Sequence, residues 1–326
     1  MRVGMVGTGS MGVTHAKAWL EAGVRLSGVV SGHFDHAQAF AQQHHTQAFR
    51  SLQDLLAVVD VLDICAPTHL HRAMTEAAAL AGKHIICEKP IALTVQDARV
   101  MIEVCSSQKV RLFIAQVVRF FGQYRAAQEI LKSGQLGNLG VLRLKRAGYP
   151  PSPTWFSDET QSGGMVMDLM IHDFDYALWL GGKVARVYAA RASNPNSSGN
   201  FVLVTLGFES GAMAQIEGSW SYPKGTFRTS LDIAGSLGLI EWHSDNSSTI
   251  KSFLEPQAGE VGAVGIPSSV LTEDPYTTQI KHFKHAIITE TPFDVTPEDS
   301  LAALEIAIAA RESLATGRAV HLGALS

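Results

Sequence analysis

The chain has 326 residues, 46% of them hydrophobic and 17% charged, with 26 basic against 30 acidic side chains and a formal net charge of −4. At about 100–200 residues per domain that length suits two domains, and that apolar content builds buried cores rather than a disordered polymer. No basic tract marks a nucleic-acid partner and no apolar run approaches the roughly 18–20 residues that span a bilayer, so neither nucleic acid nor membrane is an expected partner.

The opening Met1 to Gly7 lacks the basic start, apolar run and small-residue cleavage site of a signal peptide. It reads as a strand, Val3–Val6, running into the glycines of Gly7–Gly12. A helix follows over Val13–Ala22, a second strand over Val24–Val30, and a helix over Phe34–His44 with Asp35 as its N-cap. Val58–Ala66 is a buried strand ended by Pro67, and His71–Ala81 is a helix stopped by Gly82. His84–Cys87 (strand), Val95–Ser106 (helix) and Arg111–Gln116 (strand) complete the series. Strands separated by helices of about 10–15 residues predict βαβ units and a parallel sheet, hence a Rossmann dinucleotide-binding domain over residues 1–118.

The pattern changes from residue 119. Phe120–Lys132 is helical, Val141–Tyr149 is a strand, and the proline-rich run from Tyr149 to Pro153 is a loop. Gly164–Leu180 reads as one helix ended by Gly181-Gly182. Five strands follow with short turns: Val184–Ala192, Phe201–Phe208, Ala212–Trp220, Thr226–Ala234 and Gly238–Trp242. They predict an open antiparallel or mixed sheet. Ser244–Asp274 is rich in turns and carries no assignment, and helices close the chain at Gln279–Thr289 and Pro297–Thr316. Residues 119–326 thus read as a second, α+β domain that meets the substrate, with the last helix available to pack back on the first domain. Cys65, Cys87 and Cys105 form no C-x-x-C pair and read as reduced thiols of a cytoplasmic protein, Cys65 and Cys87 as small buried hydrophobes. His44-His45 and His282/His285 read as solvated helix positions.

Gly7-Thr8-Gly9-Ser10-Met11-Gly12 matches G-x-G-x-x-G between a strand and a helix, the context that turns a weak string into a dinucleotide site. Its glycines allow a tight turn, approach of a pyrophosphate and close helix–strand packing, and the helix start offers free N–H groups to phosphate. At the end of the second strand Ser31, Gly32 and His33 stand where NAD binders place a carboxylate for the ribose. Without that carboxylate a 2′-phosphate is not repelled, although no Arg or Lys lies between Ser31 and Gln43. The cofactor is therefore NAD or NADP, with the balance toward NADP.

Three further stretches carry a resemblance. They are Ala66-Pro67-Thr68-His69-Leu70-His71, then Ala81-Gly82-Lys83-His84 with Glu88-Lys89-Pro90, then Ser162-Gly163-Gly164-Met165-Val166-Met167-Asp168 with His172. Together with the glycine turn, the chain resembles over nearly its whole length the Gfo/Idh/MocA family, named for glucose–fructose oxidoreductase, inositol dehydrogenase and rhizopine catabolism. Ser162 replaces that family's usual first glycine. The resemblance implies catalysis by Lys89, Asp168 and His172 without settling which moves the proton. It also implies a homo-oligomer, dimer or tetramer, commonly formed through the sheet of the second domain.

The chemistry of the residues agrees. Oxidising an alcohol needs a base for the hydroxyl proton and an acceptor for the hydride. Asp168 and His172, at i and i+4, share a helix face, and an imidazole titrates near neutrality. Lys89 follows a strand end, where open α/β sheets bind ligands, and its ammonium suits a reacting oxygen. The plain alternatives are a solvated lysine and a structural Asp/His pair. Ala66, Pro67, Thr68, His71 and Glu88 are candidate cofactor contacts, with His71 equally a helix start. Arg119, Tyr149, Trp155, Phe156 and Tyr276 are candidates for a sugar or polyol substrate. Asp173 and Asp175 are ambiguous, and no second histidine at metal spacing supports a metal. Two rival functions stand beside the dehydrogenase: a dinucleotide-binding regulator without activity, and a redox-cycling enzyme that cleaves glycosides with a tightly held cofactor.

Overall fold

Val3–Val6, Val61–Ile64 and Leu112–Ala115 are short, mainly apolar and buried along their whole length, with Asp63 the one charged residue among them, and burial of both faces is the mark of a parallel sheet between helices. The computed structural model describes residues 1–149, 151, 154–156, 158–192, 201–245, 251–254 and 273–323. Part of the expected proline-rich loop (residues 150, 152 and 153) and most of the unassigned 244–274 stretch (residues 246–250 and 255–272) lie outside them. Contacts divide the chain into two units. The first is Met1–Phe120 with Thr160–Ser162 and Glu273–Leu304, and the second is Phe121–Glu159 with Gly163–Thr272 and Glu305–Ser326.

In the first unit the chain runs β1 (Val3–Val6), α1 (Ser10–Glu21), β2 (Leu26–Val30), α2 (Phe34–His44), α3 (Leu52–Leu56), β3 (Val61–Ile64), α4 (His71–Leu80), β4 (His84–Glu88), α5 (Val95–Ser107) and β5 (Leu112–Ala115). The sheet order is β2-β1-β3-β4-β5, parallel throughout, so all five strands end at one edge. Asp35 is not the cap of α2. His33 holds the N-cap position and Asp35 lies in the first turn, where its carboxylate still faces the positive helix end. Helix α3 escapes the sequence pattern because five residues are too short to show a helical period. Its cap is local: Ser51 Oγ accepts from the Asp54 amide (3.1 Å) and donates to Asp54 Oδ2 (2.7 Å).

The second unit holds α6 (Gly122–Lys132), β6 (Leu139–Gly148), the start of α7 (Glu159–Ser162, its last three residues counting with the first unit), α8 (Gly164–Asp168), α9 (Ile171–Gly181), β7 (Val184–Arg191), β8 (Phe201–Phe208), β9 (Met213–Ser219), β10 (Phe227–Gly235), β11 (Gly238–His243) and β12 (Lys251–Leu254). The chain then makes α10 (Pro275–Thr289), counted with the first unit, α11 (Pro297–Thr316) and the short β13 (Val320–His321). The sheet order is β12-β11-β10-β6-β9-β8-β7-β13, a mixed sheet in which β6 and β9 are parallel and the other pairs antiparallel. Alternating burial along β8 shows one covered face and one open face, which presents Tyr188, Leu203 and Met213.

The single helix expected over Gly164–Leu180 is two helices. Between them the amides of Leu169 and Met170 both turn to the Met165 carbonyl, at 2.9 and 3.2 Å, so the helical register slips before α9 starts. Met170 packs over Gly218 of β9, where an added Cβ would stand 2.4 Å from its Cγ. The argument that Asp168 and His172 share one helix face therefore fails on its own terms, because the four-residue spacing crosses the break. Ser162 ends α7 on the buried side, while positive φ falls on Gly163 (77°) and Gly164 (74°). The left-handed turn thus uses the two glycines that are present.

Candidate active site

The glycine turn leaves β1 at the carboxyl edge of the parallel sheet. Gly7 has φ 100°, and a Cβ there would meet the Cys65 carbonyl oxygen at 2.3 Å. A Cβ on Gly12 would meet the Gly7 oxygen at 2.3 Å, so this glycine lets α1 close onto the strand. Gly9 differs: it is exposed, and a Cβ on it would touch nothing within 4 Å. Gly9 is also the N-cap of α1, which has no side-chain cap and no acidic residue in its first turn. A bare, uncapped helix start with open space over its N-cap fits a dinucleotide pyrophosphate. Thr8 Oγ1 lies 3.1 Å from Ser31 Oγ and the Gly7 amide donates to the Val30 carbonyl, tying the turn to the end of β2. Ser10, Gly32 and His33 are exposed beside them, with Met11 half-buried.

No Arg or Lys lies between Ser31 and Gln43, but a cation reaches the start of α2 from further along the chain. The Phe49 amide donates to the Val29 carbonyl, and this brings the next residue, Arg50, over the ring of Phe34, the first residue of α2, at 3.9 Å.

After β3, Ala66 and Pro67 lead into buried Thr68, and His71 opens α4. The His71 ring spans two loops, with Nε2 2.9 Å from the Ala66 carbonyl and Nδ1 2.9 Å from the Pro90 carbonyl. Burial holds its pKa below the ordinary histidine value despite those two acceptors. Glu88 ends β4, buried, and its Oε2 accepts the Lys89 amide at 3.0 Å. The Lys89–Pro90 peptide is cis. At the end of β5, Gln116 is buried with neither amide atom hydrogen-bonded among the described residues, an orphaned polar group at the same sheet edge.

Beneath these loops lies a cluster that sequence reading missed entirely. His15 of α1 is fully buried, with Nδ1 3.0 Å from both oxygens of Asp63 on β3. Trp19 Nε1 donates to Asp63 Oδ2 at 2.7 Å. His15 Nε2 stands 3.0 Å from Glu88 Oε1, an ion-pair distance whose angle falls short of a formed hydrogen bond. Burial lowers the His15 pKa, but the Asp63 carboxylate and the neighbouring Cys65 outweigh it and hold it well above the usual value. Burial and Asp63 push the Cys65 thiol up to about 12. His15, Asp63 and Cys65 bring metal-ligand atom types within 4.8 Å of one another, yet the imidazole and the carboxylate already bond to each other and to Trp19.

In the second unit Asp168 ends α8, buried, and half-buried His172 lies in the first turn of α9. Asp173, left ambiguous by the sequence, takes a bidentate pair from buried Arg146, with Nε and Nη2 donating at 2.8 and 3.0 Å. Asp173 and Tyr124 raise the arginine's pKa against the burial that lowers it. Tyr176 donates to the Tyr124 carbonyl at 2.9 Å, so this group is structural. Asp175 is fully buried. Trp155 stacks on Phe156 at 3.8 Å, Phe156 meets Trp220 edge-on, and Tyr149 is exposed.

Two expected substrate residues have other surroundings. Arg119 is 2% exposed and donates to the Asp294 carbonyl (2.9 Å) and to Asp299 (3.2 Å), within the first unit. Tyr276, on α10, packs against the core of that same unit. His282 is not a solvated position: its ring packs on Phe293 and its Nε2 accepts the Asp294 amide. His44 lies against Phe40, and His45 caps α2 in the left-handed conformation. Cys87 and Cys105 are buried and Cys65 half-buried, all three as free thiols.

Residues 1–116 match the oxidoreductase family with an NAD-binding Rossmann fold, and residues 124–241 match the GFO/IDH/MocA C-terminal domain. The chain is 28% identical to myo-inositol 2-dehydrogenase of Thermotoga maritima, covering 99% of this chain and 98% of that one. It is 29% identical to inositol 2-dehydrogenase of Rhizobium meliloti over 99% of both. In fold it is similar to a levoglucosan dehydrogenase solved with NADH, with a TM-score of 0.88 at 21% identity and 99% of each chain covered.

Proposed function

The chain belongs to the Gfo/Idh/MocA family of NAD-binding oxidoreductases, and from that premise we propose that it reversibly oxidises a secondary alcohol of a polyol or sugar. The observation that carries this reading is positional. The glycine turn, the Thr68 loop and Lys89 all leave the carboxyl edge of one parallel sheet, where α/β sheets bind ligands. The full-length likeness to two inositol 2-dehydrogenases supports the polyol class.

The Gly7–Gly12 turn and the start of α1 hold the pyrophosphate. When bound there, the nicotinamide supplies the hydride acceptor or donor. The Lys89 ammonium holds the reacting oxygen and stabilises alkoxide charge as it develops. The His172 imidazole takes the hydroxyl proton, and the Asp168 carboxylate orients and polarises that ring. Either dinucleotide is accepted, and Ser31, which carries no charge to repel a 2′-phosphate, shifts selection toward NADP. The Arg50 guanidinium beside Phe34 is the cation that meets that phosphate. A homo-oligomer through the open sheet face is part of this reading, to be measured by light scattering.

Thermal melting with NAD⁺, NADH, NADP⁺ and NADPH tests the cofactor. A ligand at a hundredfold excess over its Kd stabilises the folded chain by about 2.7 kcal/mol. The responding pair is then used with myo-inositol and related polyols, and nicotinamide reduction is followed by absorbance. No stabilisation by any of the four, in protein that releases no nicotinamide on denaturation, removes the dehydrogenase reading.

A further inference from the structure

Lys89 is flanked by two buried imidazoles, one on each side. His71 bonds the Pro90 carbonyl that follows it, and His15 faces the Glu88 side chain that precedes it. The second contact belongs to a continuous chain: Asp63 to His15 Nδ1 at 3.0 Å, His15 Nε2 to Glu88 Oε1 at 3.0 Å, and Glu88 Oε2 to the Lys89 amide at 3.0 Å. A neutral imidazole has one N–H and serves only one carboxylate, so a ring with a carboxylate at each nitrogen is best satisfied with both protonated. Among the described residues the groups around it are few. They are Asp63 and Cys65 from β3 and its end, Glu88 from β4, the Tyr276 ring at 6.5 Å from α10, and Trp19 of its own helix, which bonds the shared Asp63. Asp63 and Glu88 are the two carboxylates among them.

We propose that His15 is a positioning residue that, clamped between Asp63 and Glu88, keeps the second Glu88 oxygen on the Lys89 amide and so fixes where the Lys89 ammonium stands. This rests on the reading of Lys89 as the group that holds the reacting oxygen. The clamp also ties Lys89 to α1, the helix whose start carries the glycine turn, so the oxygen-holding and dinucleotide-holding elements move as one body.

The test uses the full chain with His15→Gln, Glu88→Gln and the double variant, and needs no substrate for its main readout. Amide hydrogen exchange at Lys89 is expected to rise about tenfold in each single variant and no further in the double, because both cut the same link. The Ile85 amide, bonded to the Arg111 carbonyl in mid-sheet, keeps its wild-type rate. NMR of the His15 ring is expected to show both nitrogens protonated at neutral pH. With a turned-over polyol, kcat falls about tenfold at unchanged KM, the sign of a lost transition-state contact. Unchanged exchange at Lys89, an equal rise at Ile85, or a singly protonated ring overturns the clamp. If His15→Gln does not fold, Glu88→Gln alone carries the same expectation, since it keeps the shape and loses the charge. Failure of the Lys89 reading shows separately, as turnover that survives Lys89→Ala, and withdraws the proposal whatever the exchange rates.

Discussion

Gly9 and Gly12 lie in one turn, yet alanine at each has opposite consequences. Gly9 has φ −75° and ψ −168°, extended backbone that alanine adopts freely, and its added methyl meets nothing within 4 Å. Gly9→Ala should therefore leave the empty protein as stable as before, or more stable by about 0.4–1 kcal/mol through the unfolded state. The same methyl stands over the helix start where the pyrophosphate approaches. Losing one charge-assisted hydrogen bond there, about 1.5–3 kcal/mol, weakens dinucleotide binding roughly ten- to a hundredfold. Gly12→Ala drives its methyl to 2.3 Å from the Gly7 oxygen, and Gly7 has little room to yield because its own amide is held by Val30 at 2.9 Å. Overpacking of this kind costs about 1–3 kcal/mol, and each kcal/mol lowers Tm by about 2–4 °C in larger domains. Melting without nucleotide, paired with NADH titration by fluorescence, separates the two. A Gly9→Ala protein that binds NADH like wild type, or melts as low as Gly12→Ala, refutes the assignment of the turn.

Ser31→Asp should shift preference toward NAD, and Arg50→Ala should weaken NADPH while sparing NADH; equal loss of both cofactors in Arg50→Ala would show that the guanidinium does not read the 2′-phosphate. Lys89→Ala should cut turnover by about 10²–10³-fold with the melting temperature kept, the scale of losing one oxyanion donor; near-normal turnover removes Lys89 from the mechanism. Asp173→Asn leaves the buried Arg146 guanidinium without its counter-charge, at an expected cost of about 3–5 kcal/mol in urea unfolding; a loss under about 1 kcal/mol would mean the pair is not sealed from water. Arg2 holds the Asp60 carboxyl down to about 2, so the pair contributes stability above the ordinary carboxylate range and loses it as pH falls through about 2. The pair is exposed, so solvent and salt screen that contribution. Arg2→Ala should raise the Asp60 titration, followed by NMR, only part of the way to the ordinary carboxylate range, because the amide of residue 2 still donates to Asp60 Oδ2 at 2.8 Å.

What the sequence disclosed, and what it hid, divides along a physical line. Strands buried on both faces are continuous apolar runs, and glycines punctuate them, so β1 through β5 and the turn after β1 were legible at once. The residues on loops after those strands were legible too, because a parallel sheet delivers every such loop to one edge. The break at Leu169–Met170 was not: the residues around it include neither proline nor internal glycine, so nothing local announces the register slip, and the Met170 side chain there packs on Gly218, far along the chain. Arg50 was hidden for a related reason, since its place over Phe34 depends on a return of the chain to Val29. His15 is the deepest case. Its helical position and its polarity are both visible, but its meaning comes from Asp63, 48 residues away, and from Glu88. Groups that meet a ligand are exposed by topology, whereas groups that hold those groups in place are defined by contacts between distant strands. On the proposed reading, a site drawn from sequence therefore comes out as its reacting groups without the residues that hold them, and His15→Gln probes what Lys89→Ala does not.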